Sequence, residues 1–203
     1  MLLNRAMQTG MNFEKHIEEL VFTYLNGGDT STYGLCYDGQ EFFDSDHKDK
    51  GADYNTDQDN EYDLALSPDN FETVRTAAHL FRDDRGKFVN LNHNLLIVPP
   101  ALEREAANIC NNPFDSGTAN RAINPYAGRV NYIVTPYFDS TAWVLTAENE
   151  IYKPMLVVMR EQPNLQSSWF DPDQPRGGLY EWKFYGRYEV YFGDWRLAIM
   201  GDS

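Results

Sequence analysis

The chain has few of the features that mark secreted, membrane-spanning or disulfide-stapled proteins. Its 203 residues include two cysteines, Cys36 and Cys110, which form neither a metal-binding spacing nor a disulfide framework. We interpret them as reduced thiols, with a disulfide as the alternative. The longest apolar run, Leu95 to Leu102, is far too short to span a bilayer, and the first ten residues lack the apolar core of a signal peptide. The sequence therefore predicts no membrane partner.

Basic residues are also scarce. There are 17 lysines and arginines against 31 aspartates and glutamates, which gives a net charge of −14 at pH 7. This sign repels phosphate backbones and anionic lipid surfaces, so we expect no specific nucleic-acid partner. The hydrophobic content of 42% and the aromatic content of 14% exclude general disorder. At this length they predict one domain, with room for an additional lobe.

More than half of the net charge lies in residues 38–63, which contain ten acidic residues and two lysines. We predict a solvated loop there, because the tract has almost no apolar residue to bury. A calcium-binding loop can be aligned so that five side chains occupy positions 1, 3, 5, 7 and 9: Asp53, Asn55, Asp57, Asp59 and Glu61. However, position 6 is Gln58 instead of glycine, and position 12 is Leu64 instead of glutamate. We therefore expect no stoichiometric structural cation.

Helical and strand periodicities follow one another along the chain. Apolar residues spaced by three and four predict a helix over residues 3–26, and Ser67 followed by Pro68 is typical of the start of a second helix. The run 95–98 predicts a buried strand, after which Pro99 and Pro100 start a third helix. Further strands are predicted at 130–134, 142–145, 155–159 and 182–190. Helices first and strands later indicate a mixed α+β fold.

No common catalytic motif is present, and we assign no catalytic residue, no cofactor-binding residue, no metal ligand and no cofactor. The strongest enzymatic candidate is Asp44-Ser45-Asp46-His47, whose two carboxylates and imidazole are metal-ligand types. Alternatively, the many acidic residues could supply a glycosidase pair beside sugar-stacking tryptophans, namely Trp143, Trp169, Trp182 and Trp195. The simpler interpretation is that the acidic string is a solvated turn and that the tryptophans belong to the core.

A set of short motifs stands in a defined order along the chain. The first is Tyr37-Asp38-Gly39 followed by Phe42-Phe43 and by Asp46-His47, just after the long helix. Later matches are 64–71, the segment 96–103 with Pro99-Pro100, Trp143, Tyr185-Gly186-Arg187, and Gly193-Asp194-Trp195-Arg196. In this order the motifs resemble the major head subunit of Mu-like phages and prophages. The residues that we carry over as structural motif positions are Tyr37, Asp38, Gly39, Phe42, Phe43, Asp46, His47, Pro99, Pro100, Gly186, Gly193 and Trp195.

This resemblance implies a Hong Kong 97-type capsid fold and a structural subunit that is not an enzyme. Residues 1–30 would form the spine helix of a peripheral domain, 31–160 mainly an axial domain with the acidic segment 38–63, and 161–203 the return strands of the peripheral domain. The implied partners are copies of the same chain in pentamers and hexamers, with a scaffold and other head proteins as further candidates. The implied location is the virion capsid, assembled in the cytoplasm of the bacterial host.

The sequence departs from the family's pattern at its N-terminal end. The family has an N-terminal arm and an extended loop before the spine helix, whereas this sequence begins at the helix. A fragment and a shortened relative are both compatible with this departure. Without those elements we expect the purified chain to be a monomer or a weak small oligomer. The competing class is an acidic, aromatic-rich carbohydrate-binding or glycoside-hydrolysing domain, which would expose its aromatic rings as platforms.

Overall fold

The computed structural model describes residues 2–47, 57–114, 123–139, 141–148, 151–168 and 181–202. These residues fall into two compact units. Unit 1 consists of Met1–Val21 and Val157–Tyr191, and unit 2 of Phe22–Leu156 and Phe192–Ser203. Among the described residues, no helix combines the length and the apolar character needed to cross a membrane.

Unit 1 combines most of helix α1 (Leu2–Asn26) with the two-stranded sheet of β5 (Met155–Ser168) and β6 (Glu181–Phe192). The helix confirms the periodicity over residues 3–26, and it ends at the glycine pair that follows it. The Phe13 ring packs edge to face against Phe184, with ring centroids 5.2 Å apart, and against Tyr188 at 5.0 Å. A two-stranded sheet alone is marginally stable. The aromatic contacts between α1 and β6 therefore contribute to the stability of unit 1.

Unit 2 is built on a mixed five-stranded sheet with the strand order β1-β7-β4-β2-β3. Its strands are β1 (Glu61–Asp63), β2 (Leu95–Val98), β3 (Asn131–Val134), β4 (Trp143–Thr146) and β7 (Ala198–Asp202). The outer pairs β1–β7 and β2–β3 are parallel, whereas β4 is antiparallel to both of its neighbours. All four residues of β4 are buried because it lies in the middle of the sheet.

Two helices of unit 2 contribute one apolar face each to the core. Helix α2 (Pro68–His79) begins where Ser67 Oγ accepts a hydrogen bond from the Asn70 amide at 3.2 Å, which confirms the predicted N-cap. Its buried residues are Phe71, Val74 and Ala78. Helix α3 (Glu103–Cys110) follows a 3-10 turn over Pro100–Leu102, and its buried residues are Ala106, Ile109 and Cys110. The double proline therefore starts the third helix as predicted.

Both cysteines lie in the core as free thiols. Burial raises the pKa of Cys36 to about 12, with the carboxylates of Asp38 and Asp194 as further causes, and it raises that of Cys110 to about 11. At neutral pH both side chains are protonated and behave as small apolar groups rather than as nucleophiles.

The structure corrects the interpretation of 38–63 as one solvated loop. Residues 61–63 form β1, which pairs with β7, and both Asn60 and His47 are fully buried. The β7 strand was not predicted from the sequence, and the predicted segment 161–203 is divided between the two units. The calcium-loop alignment lies partly outside the described residues, because it includes Asp53 and Asn55.

Candidate functional site

Most of the motif residues between 37 and 47 lie in two consecutive turns of unit 2. The first turn closes when the Cys36 amide donates to the Gln40 carbonyl at 2.8 Å, and Gly39 within it has a positive φ of 87°. Glycine adopts this backbone conformation without steric cost, which explains the Tyr-Asp-Gly sequence. Both phenylalanines that follow are buried, and Phe42 stacks on Phe192 with ring centroids 4.7 Å apart.

The second turn places His47 in a fully buried position between a carboxylate and an indole. His47 Nδ1 lies 2.7 Å from Asp38 Oδ2, and its ring stacks on Trp195 with centroids 4.1 Å apart and planes 7° apart. Burial alone would raise the pKa of Asp38, but hydrogen bonds from His47 and from the Gln40 amide hold it below its ordinary value. The stacking of His47 on Trp195 thus attaches the acidic segment to the C-terminal part of the chain, and the buried hydrogen bond to Asp38 orients the imidazole.

The acids of the Asp-x-Asp-His string are hydrogen-bonded within the chain. Asp44 Oδ1 accepts from the Asp46 amide at 3.1 Å, and Asp46 Oδ1 accepts from Gln40 Nε2. Among the described residues, no group of three or more His, Cys, Asp or Glu side chains has the geometry of a metal site. The string therefore shapes a turn in the described structure, and its carboxylates serve as acceptors for neighbouring donors.

Asn60 connects the acidic segment to β7 and to the turn before it. Its Nδ2 donates to the carbonyl groups of Phe42 at 2.8 Å, Ala198 at 3.1 Å and Trp195 at 3.3 Å. Its Oδ1 accepts from the Asp44 amide at 2.9 Å. One buried amide side chain thus connects the backbone of residues 42–44 with that of residues 195–198. The sequence contained no signal for this role, because an asparagine in an acidic tract usually indicates a turn.

Arg196 extends the buried cluster towards residues 82 and 93. Its Nε donates to the Arg82 carbonyl at 3.0 Å, and its Nη1 donates to the Tyr37 hydroxyl and lies 3.5 Å from Asp194 Oδ1. The Arg196 carbonyl accepts from His93 Nε2 at 2.9 Å. We name the whole group of Tyr37, Asp38, His47, Asn60, His93, Trp195 and Arg196 the polar cluster.

The remaining motif residues lie elsewhere. Pro99 and Pro100 start the turn before α3, and Gly186 lies in β6, where an added Cβ would be 2.8 Å from Cζ of Phe13. Gly193 approaches the backbone of residues 153 and 154 and donates to the Pro154 carbonyl at 2.7 Å. These four positions support packing, whereas the polar cluster brings together the motif residues around Asp38 and His47.

The geometry of the polar cluster indicates a structural role and not a catalytic one. His47 is fully buried, and among the described residues His47 Nε2, His93 Nδ1 and Trp195 Nε1 have no hydrogen-bond partner. A catalytic imidazole must reach a substrate, which this ring cannot do. The sugar-stacking alternative is also wrong for Trp143 and Trp195, because both are buried in the core. Trp169 and the side chain of Trp182 lie outside what the structure describes.

We expect the polar cluster to make stability depend on pH through His93. Because Nε2 donates to a carbonyl, Nδ1 is the site that must be protonated, and burial lowers the pKa of His93 to about 4, with His79 and Arg75 adding to the effect. The unfolded chain binds this proton near pH 6.5, so stability is full above that pH and falls as the pH drops towards 4. The expected loss between pH 7 and pH 4.5 is about 2.5 kcal/mol.

Urea unfolding of the parent chain and His93→Gln at these two pH values measures this effect. The variant should lose less stability on acidification by about that amount, whereas His16→Gln, which changes an exposed histidine, should retain the full dependence. Equal pH dependence in the parent chain and His93→Gln would show that another group takes up the proton.

Comparisons with known proteins agree with a structural role. A family model described as phage capsid protein matches residues 1–200. No curated protein matches the chain. A chain of the bacteriophage JBD30 capsid decorated with minor capsid protein trimers is similar over 66% of this chain and 66% of its own length, with 23% identity and a TM-score of 0.51.

Two further solved structures are similar at lower TM-scores. A chain of the bacteriophage JBD30 capsid covers 61% of this chain and 63% of its own length, with 22% identity and a TM-score of 0.47. A chain of the virus-like particle from Pyrococcus furiosus is similar over 72% of this chain and 57% of its own length, with 14% identity and a TM-score of 0.43. This chain thus spans less than two thirds of the JBD30 capsid chains that it matches.

The fold and the family follow from these findings. The likeness to the decorated JBD30 capsid and the mixed arrangement of helices and strands confirm the α+β, Hong Kong 97-type fold. The family match covers nearly the whole sequence, and the family consists of structural proteins rather than enzymes. The chain belongs to the phage capsid protein family.

Proposed function

We propose that the chain is a major head subunit of a Mu-like phage or prophage and that its copies form pentamers and hexamers that close into an icosahedral head. The family match over residues 1–200 carries this proposal. The ordered motifs from Tyr37 to Arg196 support the Mu-like origin. The proposed location is the virion capsid, after assembly in the cytoplasm of the bacterial host.

The two units suggest how such a subunit is organised. We propose that unit 1, with α1 and the long strands β5 and β6, is the peripheral domain and that unit 2, with the five-stranded sheet, is the axial domain. The polar cluster then maintains the internal shape of the axial domain. A shell subunit needs rigid complementary faces and no reaction centre, which is consistent with a cluster whose two imidazoles and indole are buried.

Contacts with further head proteins are part of the proposal. The JBD30 capsid is described as decorated with minor capsid protein trimers. We propose that a scaffold or another head protein also contacts this chain, whereas the net charge of −14 disfavours specific binding to the packaged genome.

Sedimentation of the purified chain at increasing concentration, combined with negative-stain microscopy, tests this function. We expect monomers at about 10 μM and weak rings of five or six at about 1 mM, because a weak interface becomes populated only at such concentrations. Circular dichroism on the same samples checks that the chain is folded. A folded chain that stays monomeric over the whole range, or that forms only a closed dimer, would contradict the proposal.

A further inference from the structure

Unit 2 has a groove on its surface that is lined by no residue of the polar cluster. The groove has a volume of about 330 Å³ and runs between the C-terminal end of α2 and the residues that precede β1. Leu80, Phe81 and Phe88 line it from one stretch of the chain, and Asp57 and Asp59 line it from another. All of these residues belong to the described part of unit 2.

Hydrogen bonds fix the two sides of the groove relative to each other. Gln58 Nε2 donates to the Arg82 carbonyl at 3.3 Å, and the Arg82 amide donates to Gln58 Oε1 at 2.7 Å. The turn that carries Phe88 is closed by the Asp83 amide, which donates to the Lys87 carbonyl at 2.8 Å, and by Asp83 Oδ1, which accepts from the Lys87 amide at 2.7 Å. A groove that is already ordered loses little conformational entropy when it binds a ligand.

The groove offers apolar surface at its rim. Leu80 is 58% exposed and Phe88 is 54% exposed, although both are large apolar side chains, while Phe81 beside them is buried. The guanidinium of Arg82 lies 3.9 Å from the centroid of the Phe88 ring, which holds that ring in place. Large apolar side chains exposed beside polar ones are typical of an interaction surface.

The opposite side of the groove is acidic. Burial raises the pKa of Asp59, and the neighbouring carboxylates of Asp57, Asp44 and Asp46 raise it further. Neighbouring carboxylates repel one another, and a nearby cation would relieve this repulsion. Arg82 also lines the groove, but its Nη1 donates to the Gly86 carbonyl and its guanidinium covers the Phe88 ring.

We propose that this groove binds a segment of another protein in which an aliphatic or aromatic side chain lies next to a lysine or arginine. The apolar side chain would contact Leu80 and Phe88, and the cation would lie beside Asp59. The inference does not depend on assembly into a shell.

Fluorescence anisotropy with a labelled peptide of alternating Leu-Lys pairs tests the proposal on the full chain. We expect saturable binding at one site and about tenfold weaker binding for Leu80→Ser, since this change removes one large apolar contact from an exposed position. Asp59→Asn should weaken binding by several-fold, and the effect should shrink at high salt. The matched peptide with glutamate in place of lysine should not bind.

Control variants distinguish the groove from general attraction to an acidic protein. Ile123→Ser removes an exposed apolar side chain outside the groove, and Glu148→Gln removes an exposed charge there, so both should bind the peptide as the parent chain does. The proposal is overturned by a parent chain that does not bind, by equal affinity of Leu80→Ser or Asp59→Asn and the parent, or by equal binding of the glutamate peptide. Loss of binding in the controls would also overturn it.

Discussion

Replacing Asn60 by alanine is expected to lower the free energy of unfolding by about 4 kcal/mol. The side chain is fully buried, and its amide donates to carbonyl groups of Phe42, Ala198 and Trp195 while its oxygen accepts from the Asp44 amide. Alanine would leave these backbone groups without that partner in a place that water does not reach, which costs more than the loss of exposed hydrogen bonds.

Urea unfolding followed by tryptophan fluorescence measures the effect, since Trp195 lies beside Asn60 in the polar cluster. Asn92→Ala is the matched control, because Asn92 is exposed and its loss should change stability by less than about 0.5 kcal/mol. Asn60→Asp should be at least as damaging as the alanine variant, since a carboxylate cannot donate to the three carbonyl groups. A loss below about 1 kcal/mol in Asn60→Ala would show that these backbone groups find other partners.

Gly193→Ala is the second substitution for which we expect a large effect. An added Cβ would overlap the carbonyl oxygen of Lys153, which is backbone and cannot rotate away like a side chain. The Gly193 amide also donates to the Pro154 carbonyl at 2.7 Å, so any movement that relieves the overlap weakens that bond. The expected loss is about 3 kcal/mol, in the range measured for overpacked sites.

Thermal unfolding of Gly193→Ala and Gly10→Ala separates overlap from the general effect of adding a methyl group. Gly10 lies within α1, where the nearest atom to a new Cβ is 4.0 Å away, so alanine there should be neutral or stabilising by about 0.5 to 1 kcal/mol. A Gly193→Ala protein with the stability of the parent chain would mean that the segment at Lys153 adjusts freely. That result would remove the reason for a glycine at this motif position.

The sequence predicted those elements whose signal is local. Ser67 and Pro68 mark the start of α2 by capping chemistry, and the apolar run of β2 has the length and composition of a buried strand. The resemblance predicted the fold class, which no single motif could do. The order of the strands did not follow from either, because β1 pairs with β7 across a separation of more than 130 residues.

Long-range packing also explains why two of the seven residues of the polar cluster were missed. The other five belong to motifs that the resemblance selected, whereas Asn60 and His93 looked like ordinary polar residues of a loop. Their roles depend on the carbonyl groups of residues 195 to 198, which are close only in the folded chain. A buried polar side chain often forms hydrogen bonds with backbone groups that are distant in sequence. The residues next to it in the sequence therefore do not indicate this role.

The position of β7 has a consequence for how the protein is made. This strand lies between β1 and β4 inside the sheet, although its residues, Ala198–Asp202, are translated after all the other strands. Until they leave the ribosome, one side of β4 has no partner, and its apolar residues Trp143, Val144 and Leu145 remain accessible to chaperones and to other nascent chains. Unit 2 therefore completes its sheet only after residue 202 has emerged.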